Sequence, residues 1–420
     1  MDHAFEEPLP FNPGTLKRMK RLGHDFLESA PDGSWIEDSE GTRLLDATSA
    51  GGICNLGRRP SALVEALKKA TLATDQGNFP LISSEKADLA EALAGFAPEG
   101  LSRVMFSVVR GEAMDFSCKL ARGATRRTEL ISLSGSWFGH TGFAMALSDR
   151  RDKHLYGSLI PDTRTIPWGD LARAEEAITE KTAALVLEPV QAENRGRCAT
   201  REYLSALRAI TRNKGALLIF DETQSGFGRC GDRFACLELG VTPDILITGE
   251  ALGAGIFPIC ATLFTPKLHR FLNAHPLIHL STFGGSDVGC CVALAALREY
   301  ERLVPWENAR AMGDRLKEGL TRLLAQFPDL LTSVDGMGLL LALTFASQRK
   351  AVAFCRMATG NGLFTVPGAV ACESVVLRPS LLLTKEEGDT LLNAVEMSLQ
   401  ELKEASSAEA PGGMISGGRF

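Results

Sequence analysis

The sequence predicts an α/β protein that consists of a large domain with a mostly parallel sheet and a smaller α+β domain. Helical patterns alternate with short apolar runs from Pro60 to about Trp306, which is the order of strands and crossover helices in a parallel sheet. Beyond Trp306, a long amphipathic pattern over residues 308–326 precedes a strand, a helix, a second strand and a second helix. A chain of 420 residues, of which 45% are hydrophobic, can also bury a core large enough for two domains.

The two ends of the chain have patterns of their own. Residues 1–60 carry two short strand-like pieces, 35–38 and 41–46, around a turn signal, and they predict an N-terminal arm with a hairpin. The small domain is assigned to residues 307–404. Residues 405–420 are glycine-rich and contain mostly small side chains, so we expect a disordered tail.

The large domain is assigned to residues 61–306. Its clearest helical patterns cover residues 61–70 and 201–212. The apolar runs that predict strands are 129–133, 183–187, 216–220 and 244–248.

Charge and cysteine content limit the class of function. The net charge is −6 and no run of five or more like charges occurs, which argues against nucleic acid or an anionic membrane as the main partner. A small-molecule substrate is therefore expected. The acidic N-terminus and the lack of a long apolar run lead us to expect a cytoplasmic protein. The ten cysteines show no CxxC spacing, so neither a metal site nor a disulfide framework is predicted.

The most informative segment runs from Phe220 to Arg229, with the sequence FDETQSGFGR. Ligands of open α/β sheets bind beyond the carboxyl ends of the strands, and Asp221 follows a predicted strand directly. A carboxylate at this point can keep a pyridine nitrogen protonated and so make a bound ring an electron sink. A second apolar run, 243–249, ends in glycine and is followed by Glu250.

With three further segments, this pattern resembles the class III aminotransferases of the pyridoxal-phosphate fold type I superfamily. The segments are EPVQ at 188–191, SWFGHT at 136–141 and TFG at 282–284. The resemblance spans residues 33–403, with the motifs in the family's order. It implies a seven-stranded type of sheet and pyridoxal 5'-phosphate as cofactor.

The resemblance also implies roles for single residues. Asp221 would hold the pyridine nitrogen, Gln224 the phenolic oxygen, and Trp137 would stack on the ring. Thr282 of one subunit would contact the cofactor phosphate of its partner, which implies a homodimer with shared sites. On the substrate side, Glu188 would balance the charge of an arginine or shape the substrate channel. Gln191 would line the pocket, and Arg378 would bind a carboxylate of the substrate.

Two positions depart from the family pattern, and both lie where the family holds its cofactor. Glu250 stands where the family has the lysine that forms the Schiff base, and a carboxylate cannot form an imine. Arg110 and Gly111 stand where a glycine–serine pair binds the phosphate at a helix N-terminus, and Met114 replaces the usual asparagine. The Arg110 side chain can either donate to the phosphate or occupy the phosphate-binding site and exclude phosphate.

Three functions are compatible with these departures. The first is a divergent biosynthetic enzyme that acts on an amine, amino acid or keto compound with noncovalent cofactor and Glu250 as base, and not by ordinary ping-pong transamination. The second is a cofactor-free enzyme that uses Glu250, His140 and Arg110. The third is a non-catalytic pseudo-aminotransferase subunit that partners another protein.

Overall fold

The computed structural model describes residues 13–76 and 81–408. Its strands are β1 (Trp35–Glu37), β2 (Arg43–Asp46), β3 (Arg103–Ser107), β4 (Glu129–Leu133), β5 (Thr163–Ile166), β6 (Thr182–Leu187), β7 (Val190–Gln191), β8 (Arg197–Cys198), β9 (Leu217–Asp221), β10 (Ile245–Ile247), β11 (Cys260–Phe264), β12 (Leu331–Met337), β13 (Leu340–Phe345), β14 (Leu363–Phe364), β15 (Val366–Pro367) and β16 (Ser374–Leu377). Its α-helices are α1 (Pro13–Leu22), α2 (Ser49–Gly52), α3 (Ser61–Ala73), α4 (Ser84–Phe96), α5 (Arg110–Thr125), α6 (Gly142–Leu147), α7 (Leu171–Ala177), α8 (Arg201–Lys214), α9 (Ala235–Glu238), α10 (His269–Ala274), α11 (Asp287–Leu303), α12 (Pro305–Gln326), α13 (Gln348–Gly360) and α14 (Lys385–Ala408).

A seven-stranded sheet with the order β3-β11-β10-β9-β6-β4-β5 is formed by strands between residues 103 and 264. Strand β11 pairs antiparallel with both of its neighbours, and the other four pairings are parallel. Every residue of β6, β9 and β10 is buried, because helices cover both faces of the sheet. This explains why these strands read as continuous apolar runs, and it confirms the predicted mostly parallel sheet.

The C-terminal part contains a four-stranded antiparallel sheet with the order β12-β13-β16-β15. Helix α12 begins at Pro305, before the predicted residue 308, because proline is favoured in the first turn of a helix, where its missing N–H costs nothing. The predicted N-terminal hairpin is formed by β1 and β2, and β14 adds a parallel strand next to β2. The arm therefore shares a sheet with C-terminal residues.

The end of the chain requires one correction. Helix α14 continues to Ala408, whereas the predicted disordered tail begins at Ala405. Residues 409–420 lie outside the described residues, so the prediction for them stays a prediction. Within the described ranges, no helix is long and apolar enough to cross a membrane.

Candidate functional site

Three chain segments with acidic residues meet at the carboxyl edge of the seven-stranded sheet. Strands β6 and β9 are parallel, and Leu187 pairs with Phe220, so Glu188 and Asp221 leave the sheet side by side. Strand β10 pairs with β9 on the other side and leads to Glu250. The sheet register thus brings together residues from the separate sequence motifs.

Arg110, the first residue of α5, lies between two of these carboxyl groups. Its Nε donates to Oδ2 of Asp221 at 2.8 Å, and its Nη2 donates to Oε1 of Glu188 at 2.8 Å. The Arg110 side chain is 10% exposed, and those of Glu188 and Asp221 are 1% and 0% exposed. One guanidinium therefore bridges two buried carboxyl groups.

Burial has opposite effects on the two kinds of group. It raises the pKa of Glu188 to about 8, with Arg110 opposing the rise and Asp221 adding to it. Burial alone lowers the pKa of Arg110, but Asp221 and Glu188 offset this and raise it above its ordinary value. Arg110 therefore stays a cation, whereas the pKa of Glu188 lies well above its ordinary value.

Two carboxylates occupy backbone donors at the N-terminus of α5. The N–H of Arg110 donates to Oε1 of Glu250 at 2.7 Å, and the N–H of Val108 donates to Oε2 of Glu112 at 2.7 Å. Hydrogen bonds and the helix dipole both favour negative charge at this end of a helix. Two backbone donors at this end of α5 are therefore already paired with the protein's own carboxylates.

The position of Glu250 depends on the glycine before it. Gly249 has a φ of +77°, in the left-handed region that favours glycine. A Cβ at this residue would also lie 2.6 Å from Cα of Thr223. A glycine is therefore required for the chain to turn from β10 towards α5. Gly111 is similarly enclosed, since a Cβ there would lie 2.7 Å from Oγ1 of Thr141.

Trp137 is linked to the cluster through its backbone, because its N–H donates to Oε2 of Glu188 at 2.8 Å. The guanidinium carbon of Arg150 lies 4.7 Å from the Trp137 ring centroid, and the edge-to-face His140 ring lies 5.0 Å away. His140 is exposed and shares a 2.9 Å hydrogen bond between its Nδ1 and Nη1 of Arg150. Burial and the Arg150 charge lower the pKa of His140. Its contacts are with Trp137 and Arg150, so His140 does not lie in one cluster with Glu250 and Arg110.

Gln224 and Arg378 form a second cluster. Nη1 of Arg378 donates to Oε1 of Gln224 and to Oε1 of Glu193, both at 2.7 Å. The other end of the Gln224 amide donates to the carbonyl of Gly51 at 2.9 Å. Arg378 is buried, and its Nε has no hydrogen-bond partner among the described residues. Glu193 was not singled out from the sequence, although it lies two residues beyond the EPVQ segment.

Gln191 and Thr282 lie apart from both clusters. Gln191 is fully buried, its Nε2 donates to the carbonyl of Ser134, and its Oε1 accepts from Asn194. Its amide thus supports the loop after β4, and its predicted place in the pocket lining stays a prediction. Thr282 is exposed in a segment that also exposes Leu280 and Phe283.

The residues present do not fit a covalently held pyridoxal phosphate. Glu250 offers no amine, and the sequence has no lysine between Lys214 and Lys267. The Asp221 carboxylate already accepts from Arg110, and the first N–H of α5 already donates to Glu250. Among the described residues, no group of three or more metal-ligand side chains is present either.

Comparisons with known proteins agree on one family. A family model described as aminotransferase class-III matches residues 23–399. The chain is 34% identical over 393 residues to an uncharacterized aminotransferase from Archaeoglobus fulgidus, which covers 93% of this chain and 92% of that protein. It is 31% identical over 406 residues to a putrescine aminotransferase from Pectobacterium atrosepticum, which covers 93% and 87% respectively.

Solved structures extend the likeness. An amine transaminase from an uncultivated Pseudomonas species, in its PLP-bound internal aldimine form, superposes with a TM-score of 0.84 at 26% identity, over 90% of this chain and 95% of that chain. An ornithine aminotransferase from Toxoplasma gondii gives a TM-score of 0.86 at 24% identity, over 91% and 92%, and shows the fold alone.

Proposed function

The chain belongs to the class III aminotransferases, and we propose that it is a non-catalytic member whose cofactor pocket is filled by its own Arg110. The family fold is the pyridoxal-phosphate fold type I. The observation that carries the proposal is the bridge from Arg110 to Asp221 and Glu188, with Glu250 on the Arg110 amide. The third function considered from the sequence, a pseudo-aminotransferase subunit, is therefore the one we favour.

The energetics support this choice. For a ring nitrogen to reach Asp221, the Arg110 side chain must leave two buried carboxyl groups. Breaking a buried ion pair costs about 3–5 kcal/mol, which would weaken the apparent affinity for a competing ligand by a factor of about 10²–10⁴. The cofactor would also have to place its phosphate near the carboxylate of Glu250, where like charges repel.

The proposed role requires a protein partner, and the exposed segment with Thr282 supports this. Leu277 is 74% exposed, Leu280 52% and Phe283 53%. Large apolar side chains that are exposed close together are typical of a protein–protein interface. We expect this segment to contact a second copy of the chain or another member of the family, which agrees with the homodimer implied by the sequence.

One observation favours a second function. Asp221, Trp137 and Gln224, which the resemblance assigns to ring binding, are all present. They support a divergent biosynthetic enzyme that acts on an amine, amino acid or keto compound and holds the cofactor noncovalently. The putrescine aminotransferase among the relatives makes a small amine one candidate substrate. This function requires Arg110 to move away from Asp221.

The cofactor-free enzyme is the least supported of the three. It needs Glu250, His140 and Arg110 to face one substrate. Instead, the Arg110 guanidinium is directed at Asp221 and Glu188, and His140 is paired with Arg150.

Four proteins test the proposal: the native chain, Arg110→Gly, Glu250→Lys and the double variant. Each is incubated with pyridoxal phosphate, desalted and examined by absorbance. We expect no retained cofactor in the native chain or in Glu250→Lys, where Arg110 still fills the site, and a retained band in the double variant. A band retained by the native chain would contradict the proposal and favour the noncovalent enzyme. Arg110→Gly alone separates loss of the arginine from gain of the amine.

A further inference from the structure

A second charged cleft lies away from the Asp221 cluster, between the β7–β8 hairpin and the four-stranded sheet. Its volume is about 350 Å³, and Arg195, Arg197, Lys317, Ser333 and Asp335 are among its lining residues. An adjoining cavity of about 620 Å³ also includes Arg195 and Ser333. The combined space is within the range of small-molecule sites.

Positive charge exceeds negative charge in this cleft. Arg195 pairs with Glu373, its Nε lying 2.9 Å from Oε1. Lys317 donates to the carbonyl of Gly336 at 2.9 Å and, within the described ranges, has no carboxylate partner. Arg197 makes no side-chain hydrogen bond or ion pair to any described residue, and its guanidinium carbon lies 5.7 Å from the Trp168 ring centroid.

Glu373, which pairs with Arg195, and Asp335 reduce this surplus to one positive charge. Asp335 accepts a 2.7 Å hydrogen bond from the Ser333 hydroxyl and lines the cleft beside three cationic side chains. Burial, and then the charge of Arg195, lower the pKa of Arg197. The two arginines therefore repel each other, and a bound anion would relieve that repulsion.

The backbone holds the two arginines in this arrangement at an energetic cost. Arg195 and Gly196 both have a φ of +62°, so two successive residues of the hairpin turn are in the left-handed region. For a residue other than glycine, such a conformation costs on the order of 1 kcal/mol and is commonly found at functional sites. A Cβ on Gly196 would lie 3.1 Å from Cβ of Ala342, so the turn also packs closely on β13.

We propose that this cleft binds a small molecule that carries a phosphate group, through Arg195, Arg197 and Lys317. The arginine fork matches the oxygens of phosphate, and a lysine adds a point charge. The proposal does not depend on the cofactor pocket, which is formed by other residues.

The hairpin also connects the cleft to the second cluster of the candidate site. Glu193, two residues before Arg195, accepts from Arg378 and from the N–H of Ala369, both at 2.7 Å. The turn that carries Arg195 is therefore joined through Glu193 to the cluster that contains Arg378.

Isothermal titration of the full chain with sodium pyrophosphate tests the proposal, at an ionic strength kept constant with sodium chloride. We expect saturable binding by the native chain and affinity at least tenfold weaker in both Arg197→Gln and Lys317→Gln. Arg322→Gln removes an exposed arginine from α12, the helix that also carries Lys317, and is expected to bind as the native chain does.

Two variants are used because Arg197 also packs on Trp168, whereas Lys317 lies on the outer surface of a helix. No binding by the native chain would overturn the proposal, and so would unchanged affinity in both variants. Titration with sodium citrate distinguishes phosphate from carboxylate recognition. Tighter binding of citrate than of pyrophosphate would also overturn the proposal.

Discussion

Nε of Arg110 and Oδ2 of Asp221 lie 2.8 Å apart, at the point where the family resemblance places a cofactor ring nitrogen. The cation at this site is supplied by a side chain 111 positions earlier in the chain. Nothing else in the molecule bears so directly on function, because a ligand that needs Asp221 must compete with a group that is covalently part of the protein.

Removing Arg110 is expected to destabilise the fold. Arg110→Ala leaves Asp221 and Glu188 buried without their cation, and we expect a loss of about 3 kcal/mol in the free energy of unfolding. Urea denaturation measures it. Arg322→Ala is the matched control, because its ion pair with Glu318 is exposed and contributes little. Equal stability of Arg110→Ala and the native chain would show that the bridge is not formed in solution.

The Glu188 carboxyl predicts a pH dependence. Its pKa is about 8 in the folded protein and near the ordinary value of 4.5 when unfolded, so the folded state binds the proton more tightly. The stability from this group is fully present below about pH 4.5 and is lost as the pH rises through 8. We expect Glu188→Gln to flatten the slope of unfolding free energy against pH between these values. A slope unchanged from that of the native chain would contradict the assignment.

Gly249 is predicted to be intolerant of a side chain. Gly249→Ala combines an unfavourable φ with a contact of 2.6 Å to the Thr223 backbone, so we expect a loss of about 1–3 kcal/mol in unfolding free energy. Gly360→Ala is the matched control, because it lies in α13 and a Cβ there would meet no atom within 4 Å. If both variants unfold at the same urea concentration, the tight turn before Glu250 is not present.

The exposed segment around Thr282 predicts an interface. Phe283→Glu places a charge on a side chain that is 53% exposed, and we expect it to reduce the molecular mass measured by analytical ultracentrifugation from that of a dimer to that of a monomer. Met397→Glu, at a position 54% exposed on α14, is expected to leave the mass unchanged. A dimer that survives Phe283→Glu would rule out this segment as its interface.

Most strands of the seven-stranded sheet could be predicted, because buried parallel strands appear in the sequence as continuous apolar runs. The predicted run 129–133 coincides with β4. The prediction for β6 differs from the structure by one residue at one end, and those for β9 and β10 differ by one residue at each end. Residues that follow parallel strands lie at the same edge of the sheet, which is why Glu188 and Asp221 could be expected there from the sequence. The register that places them side by side is seen only in the structure.

The direction of the Arg110 side chain could not be predicted. The sequence left two possibilities, a contact to phosphate or a filled phosphate-binding site. The structure instead directs the guanidinium at Glu188 and Asp221, which are 78 and 111 positions away. Glu193 was missed for a similar reason, since its pairing with Arg378 spans 185 positions. Local patterns fix which strand a residue follows, whereas side-chain pairing is decided by packing of the whole domain.

The hydrogen bond from the first N–H of α5 to the Glu250 carboxylate has a consequence for the stability of the protein in the cell. Enzymes that depend on a bound cofactor are commonly less stable when that ligand is scarce, because binding energy contributes to folding. Here the contacts made by Arg110 and Glu250 are supplied by the chain itself. We therefore expect the amount of folded protein to be independent of the supply of pyridoxal phosphate.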